Sequence, residues 1–226
     1  MTVAVARFLG SNCDLDCLYV LTHVLQKNCV FAWHDEVDLP KNTTAVVIPG
    51  GFSYGDYLRC GAMAAHRPIM KAIAHFVQNG GPVIGICNGF QILCEAKILP
   101  GVLLPNQKGH FVCKVVNLVI NENKSNILKY YNVNEKIKLN VAHASGKYFA
   151  DELTLENLEK NKQIAICYDE RDENGNAKVN GSTRGIAGIL GGPQNNVLGL
   201  MPHPERRSEE RLGGVDGLRM LRGLVA

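Results

Sequence analysis

The segment most suited to chemistry is Gly85-Ile86-Cys87-Asn88-Gly89, in which a cysteine stands between two glycines. It ends a short apolar run and precedes a helical pattern over residues 90–99. A nucleophile between a strand and a helix sits on a sharp turn that lifts its side chain out of the sheet, and flanking glycines leave room for that turn. The helix N-terminus would also favour a thiolate. We therefore predict that Cys87 is a nucleophile rather than one more buried apolar cysteine.

A partner for this thiol is offered by Met201-Pro202-His203-Pro204-Glu205. Pro204 restricts the residue before it to an extended conformation, so His203 has little backbone freedom. In an extended segment, residues two apart project to the same side, which would let His203 and Glu205 act together. A base oriented by a carboxylate is what a cysteine nucleophile requires. Alone, the His-Pro-Glu triplet is equally typical of a surface turn; with Cys87 it predicts a triad for acyl transfer.

A third component is Gly50-Gly51, which follows the β-branched run at residues 44–48. Loops at the ends of neighbouring parallel strands meet in one crevice. The backbone N–H groups of Gly51 and Asn88 could there form an oxyanion hole for a tetrahedral intermediate. The alternative is a turn that merely needs positive φ. His143, which follows a predicted strand and begins a glycine loop, could also line this pocket.

The hydrophobic periods of the chain predict the elements that position these residues. The predicted strands are residues 3–9, 30–33, 44–48, 83–86, 112–120, 137–142, 163–168, 185–190 and 197–201, and the predicted helices are residues 14–27, 68–78, 90–99 and 216–225. The polar segment 169–181 is predicted to be a solvated hairpin or loop. The alternation of strands and helices indicates an α/β fold, with a mostly parallel sheet covered by helices on both faces. We expect a single domain, residues 1–226.

Composition excludes several classes of protein. Among 226 residues, 24 Lys and Arg stand against 21 Asp and Glu, without a dense basic run, so nucleic acid is not expected as a partner. No apolar stretch approaches the ~20 residues that span a bilayer, and the N-terminal residues lack the charged and apolar regions of a signal peptide, so neither a membrane span nor a signal peptide is expected. The eight cysteines are scattered without a Cys-x-x-Cys pair, which favours reduced thiols in the cytoplasm and no metal site. Neither familiar phosphate-binding loop occurs.

Taken together, these motifs resemble the class I (triad) glutamine amidotransferases. The general likeness lies in Pro-Gly-Gly at 49–51, residues 85–91 and His-Pro-Glu at 203–205. More narrowly, the chain is similar to the glutaminase subunits of phosphoribosylformylglycinamidine synthase, a purine-biosynthesis enzyme. That likeness lies in Gly10-Ser11-Asn12-Cys13-Asp14 and above all in Gly-Gly-Phe-Ser-Tyr-Gly-Asp-Tyr-Leu-Arg at 50–59.

The resemblance implies a flavodoxin-like open sheet and a specific reaction. Cys87 would attack the side-chain amide of glutamine, and His203 would act first as base and then as acid toward the leaving ammonia. Glu205 would orient His203, and the N–H groups of Gly51 and Asn88 would hold the oxyanion. Water would then cleave the thioester to release glutamate. Gln91 is expected to contact glutamine.

The resemblance also implies partners. Ammonia would pass to a synthetase subunit that uses ATP to convert formylglycinamide ribonucleotide to the amidine, with a small accessory subunit in the complex. No cofactor is expected in this chain, and ATP and Mg²⁺ are expected only in the synthetase. The chain would work in the cytoplasm, without nucleic acid or membrane.

The chain departs from the family in three places. Leu9 replaces a proline, Ser145 replaces an acidic residue, and the segment before Asn180-Gly181-Ser182 is shortened. No glutamine contact is therefore assigned within 143–148. Two alternatives remain: an enzyme serving another synthetase or hydrolysing alone, and a non-catalytic regulatory subunit on the same fold.

Overall fold

The computed structural model describes residues 2–226, which contain eleven strands and six α-helices. The strands are β1 (Thr2–Arg7), β2 (Cys29–Trp33), β3 (Thr43–Ile48), β4 (Val83–Ile86), β5 (Val102–Leu104), β6 (Val112–Ile120), β7 (Lys136–His143), β8 (Lys147–Phe149), β9 (Ile164–Tyr168), β10 (Ile186–Gly191) and β11 (Val197–Leu200). The helices are α1 (Asp14–Tyr19), α2 (Ala62–Ala65), α3 (Pro68–Gln78), α4 (Asn88–Glu95), α5 (Glu152–Lys160) and α6 (Leu218–Leu224).

Nine strands form one sheet in the order β2-β1-β3-β4-β11-β10-β9-β6-β7. The five strands from β2 to β11 run parallel, and the strands from β10 onward pair antiparallel with their neighbours. Strands β5 and β8 form a separate antiparallel pair. The expected fold class, an α/β protein with a large parallel sheet flanked by helices, is confirmed.

The parallel strands are apolar because both of their faces are covered. Every residue of β4 and β11 is buried. Helix α3 begins at Pro68, whose fixed φ suits the first helical position, and buries Ile69, Ile73 and Val77. Helix α4 lies against β3, β4 and β11. This packing fixes the carboxyl ends of β3, β4 and β11 beside one another.

Most predicted elements are confirmed, with shifted ends. The helix predicted for 14–27 is α-helical only to Tyr19 and continues as a π-helical turn, Val20–Val24. The helix predicted for 90–99 begins at Asn88 and ends at Glu95. Strands β5 and β8 and helices α2 and α5 were not predicted. The first three have only three or four residues each, too few to show a hydrophobic period, and α5 carries just two buried side chains.

The segment after β11 returns to the far edge of the sheet. The backbone N–H of His203 donates to the carbonyl of Asn140 in β7, 2.8 Å away, and the two residues form an isolated antiparallel bridge. The edge strand β7 thereby helps to hold the histidine. None of the helices within residues 2–226 has the length and apolar character needed to cross a membrane.

Candidate active site

Cys87 occupies a strained turn between β4 and α4. Its φ of 52° and ψ of −103° are rare for a residue with a side chain, and α4 begins at the next residue. The flanking glycines are required by packing. A Cβ on Gly85 would lie 2.7 Å from the carbonyl oxygen of Gly89, and a Cβ on Gly89 would collide with the carbonyl oxygen of Ile48. The Cys87 N–H donates to Leu200 in β11, at 2.8 Å. The predicted strand–turn–helix geometry is therefore confirmed.

His203 and Glu205 form a buried pair. Nδ1 of His203 lies 2.6 Å from Oε1 of Glu205, and both side chains are almost inaccessible to solvent. His203 is extended, with φ −102° and ψ 95°, as Pro204 requires. The expected extended path to Glu205 is wrong, because Pro204 begins a 3₁₀ turn that ends at Arg207. The turn, rather than strand alternation, brings the carboxylate back to the ring.

The pKa of His203 reflects opposing effects of its surroundings. Burial is the largest single effect and lowers the pKa. The Glu205 carboxylate and the nearby Cys87 and Cys13 side chains together raise it by more than burial lowers it, so the pKa of His203 lies well above its usual value. The Glu205 carboxylate therefore stabilises the imidazolium that forms when His203 takes a proton from the Cys87 thiol.

Cys87 and His203 meet at a pocket of about 260 Å³ whose lining also includes Gly51 and Ala142. The Cys87 thiol lies 3.7 Å from the carbonyl oxygen of Ala142 and donates to it. Gly50 stands between nucleophile and base: a Cβ there would lie 2.8 Å from Cε1 of His203 and 3.4 Å from Cβ of Cys87. The glycine is therefore what lets the ring approach the thiol.

The two predicted oxyanion donors flank the nucleophile. Gly51 has φ 147°, and a Cβ there would lie 2.8 Å from the backbone nitrogen of Asn12, so close chain approach demands glycine. Asn88 is the first residue of α4, and the first N–H groups of a helix have no intrahelical acceptor. Its side-chain Oδ1 accepts from the N–H of Ser53 at 3.2 Å, which ties the glycine loop to α4.

Gln91 lies one turn into α4, outside the lining of this pocket. Its Oε1 accepts from Asn88 Nδ2 at 2.8 Å, and its Nε2 donates to the carbonyl of Ser145 at 2.6 Å. The amide thus links α4 to the loop that follows β7. A direct contact of Gln91 with glutamine stays a prediction.

Sequence reasoning assigned no role to two residues that also line the pocket, Cys13 and Arg206. The Arg206 guanidinium lies 3.0 Å from the Cys13 sulfur, and Cys13 itself is buried. The Cys13 sulfur also lies 3.2 Å from the position that a Cβ on Gly50 would occupy. The only sequence signal was the position of each residue within a motif shared with the family, next to Asn12 and Glu205 respectively.

His143 is buried behind the pocket and is held by Asn106. The Asn106 amide donates through Nδ2 to the carbonyls of His110 and His143, and its Oδ1 accepts from the N–H of Gly146. Nδ1 of His143, 3.0 Å from that Oδ1, must therefore carry the proton. Burial, followed by the charge of His203, lowers the pKa of His143 to about 4. The ring is neutral at pH 7 and supports the loop instead of lining the pocket.

Comparison with known proteins places the chain in a family. The family model of the CobB/CobQ-like glutamine amidotransferase domain matches residues 1–212. A phosphoribosylformylglycinamidine synthase subunit PurQ of Wolinella succinogenes is 49% identical over 225 residues, covering 100% of both chains. The protein of the same name from Zymomonas mobilis is 47% identical over 225 residues and covers 100% of this chain and 98% of its own.

Solved structures agree with the sequence matches. A chain in the structure of PurLQS from Thermotoga maritima superposes with a TM-score of 0.86 at 37% identity, covering 99% of this chain and 97% of its own. A glutamine amidotransferase of the same organism superposes with a TM-score of 0.61 at 13% identity, and the match covers 100% of this chain and 99% of that one. At that identity the likeness extends to the fold alone.

Proposed function

Because this chain belongs to the family of phosphoribosylformylglycinamidine synthase subunits PurQ, which are glutamine amidotransferases, we propose that it is the glutaminase subunit of that synthase. In this function it hydrolyses glutamine to glutamate and supplies the ammonia for purine biosynthesis. The observation that carries the proposal is the meeting of Cys87 and the His203–Glu205 pair at one pocket.

The first half of the reaction forms a thioester. His203 takes the proton of the Cys87 thiol, and the sulfur attacks the carbon of the glutamine side-chain amide. The negative charge that develops on the amide oxygen is stabilised by the N–H groups of Gly51 and Asn88. His203 then gives its proton to the leaving nitrogen, which departs as ammonia. Glu205 keeps the ring oriented and stabilises its protonated form throughout.

The second half restores the thiol. Water attacks the thioester carbon while His203 removes one of its protons, and the same two N–H groups hold the second oxyanion. The carbon–sulfur bond breaks, glutamate leaves, and the Cys87 sulfur regains its proton from His203. The Ala142 carbonyl, which accepts from the resting thiol, supports this return.

The partner in this proposal is the synthetase subunit PurL, with which the solved relative from Thermotoga maritima is assembled. We extend the proposal to a small accessory subunit, to ATP and Mg²⁺ bound by the synthetase and not by this chain, and to a cytoplasmic location. We treat residues 1–226 as one amidotransferase domain. Gln91, which joins Asn88 to the 143–148 loop, is included as a glutamine-binding residue.

The experiment reconstitutes the chain with its cognate PurL and measures amidine formation from either glutamine or an ammonium salt. Cys87→Ala should abolish the glutamine-dependent reaction and leave the ammonia-dependent one intact, because only ammonia release needs the thiol. Cys29→Ser, at the distant edge strand β2, is the matched control and should retain both reactions.

Three outcomes would contradict the proposal. Retained glutamine-dependent synthesis in Cys87→Ala would remove the thiol from the mechanism. Glutamate release without any amidine formation in the complex would instead favour an enzyme that serves another synthetase or hydrolyses glutamine alone. Absence of glutamate release from the wild-type complex would favour a regulatory subunit.

A further inference from the structure

The pocket contains more ligands for a metal ion than the glutaminase reaction uses. A sulfur of Cys13, a ring nitrogen of His203 and a carboxylate oxygen of Glu205 all lie within 4.8 Å of one another, and all three residues are buried. Cys87 lines the same pocket, and both cysteines are free thiols. In the mechanism above, Cys13 has no part. The pocket therefore presents two thiols to one imidazole.

The imidazole is prepared for a metal at one nitrogen. Nδ1 of His203 is paired with Glu205 at 2.6 Å, whereas Nε2 is buried and makes no hydrogen bond with any part of residues 2–226. A histidine that binds zinc commonly holds a carboxylate through its other nitrogen, which fixes the ring and strengthens the metal bond. Glu205 stands in that relation to His203. The arrangement that orients a catalytic base equally orients a zinc ligand.

Thiolates and imidazole are the ligands that Zn²⁺ prefers, and a site with two cysteines and one histidine leaves a fourth position for water. Zinc ligands lie about 2.0–2.3 Å from the ion, so the Cys13 and His203 ligand atoms, which lie within 4.8 Å of each other, need only small side-chain rotations to share one. The Cys87 side chain approaches the same place, because a Cβ on Gly50 would lie 2.8 Å from Cε1 of His203, 3.2 Å from the Cys13 sulfur and 3.4 Å from Cβ of Cys87. The pocket of about 260 Å³ gives the ion and its water access from solvent.

The charges around the pocket also balance. The Arg206 guanidinium touches the Cys13 sulfur, and its side chain is 34% exposed, so it can turn toward solvent as an ion enters. Zn²⁺ together with Arg206 would carry three positive charges. The thiolates of Cys13 and Cys87 and the carboxylate of Glu205 carry three negative ones. No unpaired charge is left buried, and this removes the usual obstacle to binding an ion there.

We propose that Cys13, Cys87 and His203 bind one Zn²⁺ ion, and that this ion holds the glutaminase reversibly inactive. The ion takes both the sulfur that attacks glutamine and the nitrogen that receives its proton, so metal binding and catalysis exclude each other. The inhibition rests on the proposed function, but the binding site does not. Cys13 is the residue that distinguishes this site from the triad alone.

The experiment measures metal binding directly, by competition with a chromophoric zinc chelator and by the absorption of Co²⁺ used as a probe. Wild-type protein should bind one ion per chain and show the thiolate-to-cobalt charge-transfer bands of a tetrahedral site. Cys13→Ser and Cys87→Ser should each lower the affinity about tenfold or more, and Glu205→Gln about 10- to 100-fold through the loss of its support for His203. Urea unfolding of each variant verifies that the fold is retained.

Cys113→Ser is the matched control, because this exposed thiol also lines the pocket but lies outside the cluster, and its affinity for the metal should match that of wild type. The glutaminase assay adds a second readout. Zinc should inhibit the wild-type enzyme, and glutamine should protect the enzyme from this inhibition. Half-maximal inhibition of Cys13→Ser should require about tenfold more zinc than that of wild type.

Three results would overturn the proposal: affinity unchanged in a folded Cys13→Ser protein, affinity lost only in Cys113→Ser, or Co²⁺ bound without charge-transfer bands. Because these results come from metal binding alone, they leave the proposed glutaminase function untouched. Loss of glutaminase function would likewise leave the binding measurement valid.

Discussion

The two sides of the sheet contribute to the site in different ways. On the parallel side, the site is formed mainly by main-chain conformation: the strained turn at Cys87, the positive φ of Gly51 and the N-terminus of α4. Around the antiparallel side, the site is formed mainly by buried polar side chains. His203 bridges to β7, and Asn106 and His143 support the loop that follows β7. One side works through backbone conformation and the other through hydrogen-bonded side chains.

This difference predicts different sensitivities to substitution. The strained backbone on the parallel side depends on small residues that let neighbouring segments of the main chain approach closely, so a substitution that adds atoms disrupts it. A network of buried side chains depends on each partner being present, so it is damaged by removing atoms, since the remaining groups lose their hydrogen bonds in a dry environment. Substitutions on the two sides can therefore separate them.

The largest expected effect is that of His203→Ala. It removes the base that takes the Cys87 proton in the proposed mechanism, so kcat for glutamate release in the assembled synthase should fall about 10⁴-fold or more. Ammonia-dependent synthesis by the same complex is the control and should persist. A loss of tenfold or less would mean that another group acts as base.

A smaller effect is expected for Glu205→Ala. The carboxylate orients the ring without exchanging protons with glutamine, so this variant should be about 10- to 100-fold more active than His203→Ala. The pKa of His203 should also fall, because burial continues to lower it while the main effect that raises it is gone. An NMR titration of the ring measures that shift. Equal losses of activity in the two variants would contradict the division of roles.

Gly50→Ala tests the parallel side. The added Cβ would lie 2.8 Å from Cε1 of His203, so the ring must move, and a displacement near 1 Å can cost about 10²-fold in rate. In a His203→Ala background the closest clash is gone and only the 3.2 Å approach to the Cys13 sulfur and the ordinary contact with Cys87 remain, so Gly50→Ala should there have a much smaller further effect on kcat. Additive losses in this double-mutant cycle would show that Gly50 acts independently of the histidine.

The smallest change in activity is expected for His143→Gln, which should instead alter the pH dependence of stability. Because the folded-state pKa of His143 is about 4, against ~6.5 in the unfolded chain, its contribution is full above pH 6.5 and is lost as pH falls toward 4. The free energy of unfolding of wild type should decrease by about 3 kcal/mol more than that of the variant over this range. Urea unfolding at pH 7 and pH 4.5 measures the difference, with His75→Gln, on the exposed side of α3, as the control.

The same contrast explains what could be predicted from the sequence. The turn at Cys87, the strand before it and the restricted backbone of His203 follow from adjacent residues, since glycine and proline act locally. Strands β4 and β6 and helix α3 were predicted with their observed ends, because their hydrophobic periods are uninterrupted. These features required no knowledge of tertiary contacts.

The remainder depends on contacts between distant parts of the chain. Cys13 meets Arg206 only because α1 and the turn after β11 lie side by side, and Asn106 reaches His143 across the fold. No spacing within the sequence encodes such pairs. The path from His203 to Glu205 was predicted as extended for a related reason: local rules gave the conformation of the first residue but not the 3₁₀ turn that follows.

The central place of β11 also affects how the protein is made. β11 is the last strand of the sheet to leave the ribosome, yet it lies between β4 and β10. During synthesis at about 5–20 residues per second, β4 therefore waits roughly 5–20 s with one edge unpaired. An apolar strand with an open edge pairs readily with other chains, so the nascent protein passes through an aggregation-prone stage. The strand that completes the sheet also leads directly into His203, so the Cys87–His203 pair of the proposed mechanism cannot form before this last strand of the sheet has been made.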